Sequence, residues 1–480
     1  MNIVLVLPPA EKVSEKKDSP DYQHLGLGYI SAMLEKNGYN VKIVDAKLEG
    51  MSFNQALKAV NSLRPDVLGI TAMTHEINAA ARLAGEAKSL LPNIFTAIGG
   101  VHLSALPVET LKRYPFFDIG VIGEGEYSFL NIIRVLEKGG HDFSPLKGLV
   151  YRRDQEVLLS QPMEEVDDLD LLPYPAWHQF PKATVYSIIT SRGCPFSCVF
   201  CMQAMGRRVR RRSADNIVGE IDKVLTERTP EFFHFRDETF TLDKAKVYEV
   251  CDIITKSGLD RRIRWSATTR VDSIDKDLLL KMKEAGCSHI EFGVESGDQE
   301  VLERIKKNIT LDQARRAVSL ARGLGLHTEA AFILGHPGET LETAYRTIRF
   351  AAELDPDIAQ LGIMVPYPGT EVGRMARKGE GGYRIISDNW SDYNKQLGNA
   401  LELDGLNRSD LERLQLAGYL KLFIFNRRFK DFLRFMWNYR REMFSFLRNH
   451  FKKEKERKGV KSRLDIFSMA RMIFSNSPNL

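Results

Sequence analysis

Three cysteines lie close together at Cys194, Cys198 and Cys201, with the spacing C-x3-C-x2-C. They follow the short apolar run Val185–Thr190, whose branched residues predict a buried strand. The cysteines are therefore expected on the loop at a strand's C-terminal end, where α/β folds keep their active sites. Thiolates so close together suit a soft metal or an iron–sulfur cluster. A structural zinc site takes four protein ligands, and no fourth Cys or His completes a zinc pattern nearby.

A cubane iron–sulfur cluster has four irons, so three cysteines leave one iron open to an exogenous ligand. The arrangement C-x3-C-x-aromatic-C after a strand, with Phe200 as the aromatic residue, resembles the signature of the radical S-adenosylmethionine (SAM) enzymes. The resemblance implies a [4Fe-4S] cluster whose open iron is chelated by the amino and carboxylate groups of SAM. It also implies that Phe200 lies beside the adenine, a position compatible with ordinary hydrophobic packing.

The composition is that of a large intracellular protein. A length of 480 residues predicts two or three domains. Two isolated cysteines, Cys251 and Cys287, are expected to be buried and inert, and the absence of a disulfide framework indicates a reducing, cytoplasmic compartment. The stretch Met1–Pro8 predicts a first strand and not a signal peptide. No apolar run approaches the ~20 residues of a membrane span.

The formal net charge of +5 is uneven along the chain. Residues 421–463 hold 15 Lys and Arg against 4 Asp and Glu, so the basicity belongs to the tail and not to the catalytic body. A second basic run, Gly206–Ser213, lies between the cysteines and a predicted helix. We interpret it as a contact to an anionic substrate or to the SAM carboxylate, and we expect no nucleic-acid partner.

Residues 1–145 alternate between strand and helix patterns, which predicts a doubly wound parallel sheet. The predicted strands are Ile3–Leu7, Val41–Asp45, Val67–Thr71, Phe95–Ile98 and Ile119–Ile122, and the predicted helices are Gly28–Lys36, Ser52–Leu63, Ile77–Leu90 and Glu126–Glu137.

Small residues follow three of these strands, at Thr71, at Gly99 and Gly100, and at Gly123 beside Glu124. With the segment Leu25–Ile30 and the stretch 99–111, they resemble the cobalamin (B12)-binding domain that precedes many radical SAM cores. The resemblance implies a flavodoxin-like fold in which those five residues bind cobalamin. The alternative is a retained α/β domain with an empty cleft, serving as packing or as a substrate lid.

The loop after the first strand departs from the cobalamin pattern. Domains that supply an axial histidine carry Asp-x-His-x-x-Gly there, whereas this chain has Pro8-Pro-Ala-Glu-Lys12. A bound cobalamin is therefore expected to lack a protein histidine on its lower face. His75 and His102 are the nearby histidines, and a hydrogen-bonding role suits them better than ligation.

Residues 146–184 are predicted to be a linker that contains a small hairpin at Val150–Leu159. From 185 to 375 the β/α alternation resumes and predicts a partial (βα)6 TIM-like barrel, which the resemblance identifies as the radical SAM core. Its predicted strands are Val185–Thr190, Phe232–Arg236, Arg262–Thr268, His289–Val294, Thr328–Leu334 and Ala359–Val365, and among its helices are Ala214–Thr226 and Leu341–Glu353.

Several polar residues end these strands at the predicted mouth of the barrel. The resemblance implies that Glu238, with Asp237 as second choice, receives the ammonium of SAM, although a carboxylate is also favoured at a helix N-terminus. It implies that Arg270 binds the SAM carboxylate, unless it pairs with a neighbouring acidic residue. Glu295 is the expected ribose acceptor, and Gly335 lets backbone groups approach the adenine.

Residues 376–480 are predicted to form a helical region with a basic tail, and no family resemblance extends to them. We favour a helical cap over the barrel, whereas a basic amphipathic helix would bind an anionic membrane surface peripherally. The end, Lys452–Lys458, is expected to be disordered.

The function implied is that of a radical SAM enzyme, in which a reduced [4Fe-4S] cluster cleaves SAM to a 5′-deoxyadenosyl radical. The leading hypothesis is a cobalamin-dependent methyltransferase acting on an unactivated carbon of a small or lipid-like metabolite, with a flavodoxin- or ferredoxin-type reductant. Oxidative cyclisation or rearrangement is an alternative, and a non-catalytic redox sensor is another. A methylthiotransferase is disfavoured because no cysteine precedes Cys194. No catalytic side chain is assigned.

Overall fold

Two sheets with their helices, the first mixed and the second entirely parallel, form the body of the protein. The computed structural model describes residues 1–9, 23–154, 156–395 and 399–438. The predictions for Glu11 and Lys12 and for Lys452–Lys458 lie outside the described residues.

The first sheet has seven strands in the order β2-β1-β3-β4-β5-β6-β7. The first five of the chain are parallel to one another, with the strand order of a flavodoxin-like doubly wound domain, as predicted. The strands are β1 (Asn2–Leu7), β2 (Asn40–Asp45), β3 (Val67–Thr71), β4 (Phe95–Gly99), β5 (Ile119–Val121), β6 (Leu149–Arg153) and β7 (Glu156–Leu159). The helices are α1 (Leu25–Lys36), α2 (Phe53–Leu63), α3 (Ile77–Leu90), α4 (Val101–Ala105), α5 (Pro107–Arg113) and α6 (Glu126–Glu137).

Both faces of this sheet are buried, which explains why its strands are continuously apolar. In β1, Ile3 and Leu5 pack into the core that contains α1 and α6, whereas Val4 and Val6 pack into the core that contains α2 and α3. The hairpin β6–β7, predicted in the linker, extends the first sheet in antiparallel pairing with β5.

The second sheet has six parallel strands in strict chain order, so it forms the predicted partial barrel with β8 and β15 at its two edges. The strands are β8 (Val185–Ile188), β11 (Phe232–Phe235), β12 (Trp265–Thr269), β13 (Cys287–Glu295), β14 (His327–Leu334) and β15 (Ile358–Ile363). The helices are α7 (Ala214–Glu227), α8 (Lys244–Lys256), α9 (Lys276–Glu284), α10 (Gln299–Arg304), α11 (Leu311–Gly323), α12 (Leu341–Leu354) and α13 (Glu371–Lys378). The third of these strands begins later than predicted because Leu259–Arg261 forms a 3-10 turn.

Two short ribbons complete the strands. β9 (Ser191–Arg192) pairs antiparallel with β10 (Arg210–Arg211) beside the barrel mouth, and β16 (Tyr383–Ile385) pairs with β17 (Leu401–Leu403).

The C-terminal helices are α14 (Arg408–Phe425) and α15 (Phe429–Asn438). α14 packs on α12 and on the edge strand β15, where Gln415 donates a hydrogen bond of 2.7 Å to the carbonyl of Leu361. This part of the tail is therefore the predicted cap over the barrel. Across the described ranges, no helix is both long enough and apolar enough to cross a bilayer.

Candidate cluster and cofactor site

The cysteines lie on a long loop whose base is closed by the ribbon β9–β10. Within the loop, the amide of Cys194 donates to the carbonyl of Gly206 at 3.1 Å. Gly193 has φ of +97°, and a Cβ there would lie 2.2 Å from the carbonyl oxygen of Arg208. Only glycine fits this position, so the turn that presents the first cysteine is fixed by the sequence.

The three thiols differ in environment. Cys198 is buried and Cys201 is exposed, and a hydrogen bond between them lowers the pKa of the Cys198 thiol to about 7. Burial raises the pKa of Cys194. In the described part of the chain, no three His, Cys, Asp or Glu side chains converge closely enough to bind one metal ion. Each thiolate of a cubane binds a different iron, so three cysteines on one loop suit the predicted cluster.

A segment after α10 supports the cysteine loop from behind. Val199 donates its amide to the carbonyl of Ile305 at 3.1 Å, and the Cys198 sulfur lies 3.8 Å from the carbonyl of Lys306. The next residue, Lys307, is buried, and its charge favours the thiolate form of Cys198. Nearby positive charge is what a cluster of anionic thiolates requires in a partly buried site.

Arg270 contacts the same loop. Its guanidinium binds Asp272 at 2.8 and 2.9 Å, donates to the carbonyl of Lys307 at 2.8 Å, and lies 3.8 Å from the ring centroid of Phe196. These contacts include the neighbouring acidic residue that sequence analysis gave as the alternative partner. The role of Arg270 toward the SAM carboxylate stays a prediction.

The two carboxylates after β11 have different surroundings. Asp237 is buried and accepts hydrogen bonds from the amide of Thr190 at 2.7 Å and from the hydroxyls of Thr190 and Ser191. Asp237 thus fixes the backbone where the chain enters the cysteine loop. Glu238 is exposed and lies close enough to Cys194 to raise its pKa. Asp237 is thus engaged within the chain, and the role of Glu238 toward the SAM ammonium stays a prediction.

Glu295 ends β13 with φ of +76°, a strained backbone for a residue other than glycine. Its carboxylate forms a buried ion pair with Lys307 at 2.9 Å, and its carbonyl lies 3.2 Å from Nε2 of His336. Glu295, the expected ribose acceptor, is thus ion-paired with Lys307, whose charge also acts on the thiol of Cys198.

His336 follows Gly335 in the chain and lies close to Phe200. The centroids of the His336 and Phe200 rings are 6.1 Å apart. The amide of Gly335 donates to Glu339, and its carbonyl accepts from the hydroxyl of Tyr383 at 3.0 Å. Both backbone groups are therefore engaged within the protein. The role of Gly335 toward adenine stays a prediction. It rests on the close approach of a ligand to the backbone that glycine allows, and Gly335 has φ of +92°.

A cavity of about 300 Å³ lies between the two sheets. All five residues predicted for cobalamin line it, together with apolar side chains of the first domain and Ala204 and Met205 of the cysteine loop; the five are Thr71, Gly99, Gly100, Gly123 and Glu124. A Cβ added at Gly123 would meet nothing within 4 Å, so the wall there is open. An apolar cavity with a glycine wall fits one face of a large, flat cofactor.

The basic run before α7 is paired with acidic residues of the chain itself. Arg210 binds both oxygens of Glu124 at 2.7 and 2.9 Å, Arg212 is buried against Glu220, and Arg208 pairs with Glu165. The interpretation of this run as an anion contact stays a prediction. Glu124 and Glu165 lie 86 and 43 positions from their arginine partners, whereas Glu220 lies 8 positions from Arg212.

The histidines near the site are placed differently from the prediction. His102 is buried against Trp390, with ring centroids 5.0 Å apart, and His75 lies 3.7 Å from Glu76; neither lines the cavity. His24, which sequence analysis did not single out, does line it and caps α1 by accepting from the amide of Leu27 at 3.2 Å. The available sequence signal was the position of His24 immediately before α1, where a side chain can cap the helix.

The remaining cysteines are buried, as predicted. Cys251 and Cys287 are 0% and 3% exposed, and burial raises the pKa of Cys251 to about 12. Such thiols stay protonated and unreactive.

Comparisons with known proteins agree with this arrangement. The profile of the Radical SAM superfamily matches residues 188–351, and that of the B12 binding domain matches residues 17–133. The chain is 33% identical over 433 residues to an uncharacterized methyltransferase of Pyrococcus horikoshii, covering 88% of this chain and 93% of that protein. It is 30% identical over 413 residues to the anaerobic magnesium-protoporphyrin IX monomethyl ester cyclase of Rubrivivax gelatinosus, covering 83% and 73%.

A solved structure has the same fold. The radical S-adenosylmethionine methyltransferase TsrM of Kitasatospora setae, determined with tryptophan and a SAM analogue, superimposes with a TM-score of 0.69 at 19% identity. The match covers 86% of this chain and 88% of that chain. The overall fold is therefore shared by both.

Proposed function

Because the chain belongs to the radical SAM enzymes that carry a B12-binding domain, we propose that it methylates an unactivated carbon of a small or lipid-like molecule. Its cofactors are a [4Fe-4S] cluster, SAM and cobalamin. The chemistry that they supply when bound is one-electron cleavage of SAM to a 5′-deoxyadenosyl radical and a transferable methyl group.

The observation that carries the proposal is the shared cavity. Residues after β3, β4 and β5 line it from one side, and Arg192, Ala204 and Met205 line it from the cysteine side. A methyl donor and a radical source must both reach one substrate carbon, and a cavity walled by the first domain and by the cysteine loop supports that arrangement. The two relatives named above as methyltransferases support the same reaction class.

The protein's own residues position the cofactors and exclude water. We infer that Cys194, Cys198 and Cys201 hold the cluster, with Lys307 behind them. Glu238 is suited to receive an ammonium group, because its neighbour Asp237 is fully engaged. Glu295 presents its carboxylate beside Lys307, where a ribose hydroxyl can replace part of the pairing.

Cyclisation is the second candidate reaction, supported by the cyclase relative at 30% identity. The two reactions differ in their products from SAM. Methyl transfer from SAM leaves S-adenosylhomocysteine in addition to 5′-deoxyadenosine, whereas cyclisation leaves 5′-deoxyadenosine alone.

The test is anaerobic reconstitution of the full chain with iron, sulfide, hydroxocobalamin, SAM and dithionite. We expect 5′-deoxyadenosine and S-adenosylhomocysteine from the unaltered chain, and a loss of at least about 100-fold for Cys198→Ala, because the cluster loses one ligand. Cys251→Ala, a buried thiol outside the loop, is the matched control and should retain both products. A full cluster without SAM cleavage would favour the redox sensor, and 5′-deoxyadenosine alone would favour cyclisation.

We further propose that the end of the described chain makes peripheral contact with an anionic bilayer. Phe425, Phe429, Leu433 and Trp437 recur every fourth residue and are 49%, 59%, 67% and 69% exposed. The many Lys and Arg of residues 421–463 complement anionic lipid. Flotation with phosphatidylserine vesicles should fall severalfold for the Leu433→Ser, Trp437→Ser variant, and equal flotation would contradict the proposal.

A further inference from the structure

One wall of the cavity between the sheets is built from charged side chains that are almost fully buried. Glu124 and Glu126 follow β5, and Arg192 and Arg210 come from the ribbon at the base of the cysteine loop. Arg192 lies 2.7 Å from Glu126 and 3.3 Å from Glu124, and Arg210 lies 2.7 Å from Glu124. Their side chains are 2–9% exposed, and within this group of four the two positive and two negative charges cancel. Arg210 also lies 3.6 Å from Glu165, whose side chain is 34% exposed.

One carboxylate oxygen in this wall lacks a donor. Both oxygens of Glu124 accept hydrogen bonds from Arg210, and Oε1 of Glu126 accepts from Arg192. Oε2 of Glu126 is buried and has no hydrogen-bond partner among the described residues. A buried acceptor without a donor is destabilising, more so when the group is charged, so native proteins rarely leave one unused.

The missing donor can enter from the cavity, because Glu126 and Arg192 both line it. A charged ligand group would be buried in a wall whose charges already cancel, at a large desolvation cost. A neutral N–H donor avoids that cost and still makes a strong hydrogen bond to a carboxylate. The corrin ring of cobalamin carries neutral carboxamide side chains around its edge, and its apolar face matches the rest of the lining.

We propose that Glu126 binds cobalamin through a hydrogen bond from one corrin carboxamide to its open oxygen, and that Arg192 is the positioning residue that aims this carboxylate. The inference rests on the proposed function, in which cobalamin occupies the cavity. Arg192 is two positions before Cys194, so the pair also fixes the corrin relative to the cysteine loop.

The experiment measures the dissociation constant of corrinoids for the full chain by absorbance after equilibrium dialysis. The probes are hydroxocobalamin and the cobalamin monocarboxylic acids, in each of which one carboxamide is hydrolysed to a carboxylate. The unaltered chain should bind one of these acids at least about tenfold more weakly than hydroxocobalamin, because that carboxylate faces Glu126 instead of donating to it.

Glu126→Gln should weaken hydroxocobalamin binding by about tenfold and abolish the discrimination against that one acid. Glu137→Gln, at the end of the same helix and bonded to Tyr39 at the surface, is the matched control and should leave both values unchanged. A merely structural role of Glu126 would weaken all corrinoids by the same factor, so the selectivity is the deciding measurement.

The outcomes separate the two proposals. If the unaltered chain retains hydroxocobalamin and Glu126→Gln shows the same affinities and the same selectivity, this inference is overturned while the proposed function stands. If the unaltered chain retains no corrinoid, the cobalamin part of the proposed function fails and this inference fails with it.

Discussion

At the scale of single residues, Glu339 is the buried acid closest to the predicted adenine segment. It is 3% exposed, and its Oε2 accepts from the amides of Gly335 and His336. Its Oε1 is buried without a partner among the described residues. Burial raises the pKa of Glu339 to about 8, so the carboxyl is protonated at neutral pH.

This residue makes the protein less stable as the pH rises. The pKa is about 8 in the folded chain and near 4.5 when exposed, so between these values the folded state holds a proton that the unfolded chain has released. Its contribution to the free energy of unfolding is therefore complete below about pH 4.5 and is lost as the pH rises to 8.

Urea unfolding at pH 5, 6, 7 and 8 measures this dependence. We expect Glu339→Gln to flatten the decline in the free energy of unfolding, because the amide oxygen still accepts from both backbone amides and no longer titrates. Parallel curves for the variant and the unaltered chain would contradict the assignment of the decline to this residue.

Residues whose chemical type and spacing form a short motif were predictable from the sequence. Residues that depend on partners distant in the sequence were not. The cysteines and the small residues after β3, β4 and β5 stand in short motifs, and the structure gathers the small residues around one cavity. Arg210 meets Glu124 across 86 positions, and the charge of Lys307 acts on Cys198 from the segment after α10. Such pairs depend on tertiary packing, which no local spacing encodes.

At the scale of elements, the cysteine loop depends on a single turn. Gly193 leads from β9 into the loop with φ of +97°, against the carbonyl of Arg208 just before β10. A side chain there meets both backbone strain and a direct clash. The loop is therefore positioned by the ribbon and not by the strength of its own hydrogen bonds.

We expect Gly193→Ala to lose most of its iron after reconstitution, because the ribbon must open to admit the methyl group. Gly139→Ala is the matched control, since Gly139 has φ of +70° but nothing within 4 Å of an added Cβ. That control should lose only about 1 kcal/mol of stability from backbone strain and keep its full iron content. Iron per chain and the melting temperature of both variants are the measurements, and equal iron content would contradict the turn's importance.

The order and type of the elements were largely readable from the sequence, because alternating apolar runs and capped helices specify both sheets. The predicted bounds Ile77–Leu90 and Glu126–Glu137 are those of α3 and α6. The hairpin β6–β7 was recognised but its sheet was not. The sheet that a hairpin joins depends on pairing with an edge strand that is distant in sequence. The sequence of the hairpin itself does not indicate which edge strand that is.

At the scale of the whole molecule, the first domain is held from two sides. The charged wall of Glu124, Glu126, Arg192 and Arg210 joins it to the cysteine ribbon. On another side, residues 389–391 of the C-terminal region reach back to it. There, the ring of Trp390 packs edge-on against that of His102, and Asn78 donates to Asn389 at 2.9 Å.

We expect this second contact to make the two sheets unfold together, although each could be a separate cooperative unit. We expect Trp390→Ala to lower the stability of the first domain by about 1–3 kcal/mol, the value of burying part of a large aromatic side chain. The first domain should then melt ahead of the barrel, so calorimetry of the full chain should show a broadened or divided transition. Trp437→Ala, at a position that is 69% exposed, is the matched control and should melt like the unaltered chain. If both tryptophan variants melt alike, the C-terminal contact does not couple the domains, and the charged wall alone must carry the coupling between the two cofactor sites.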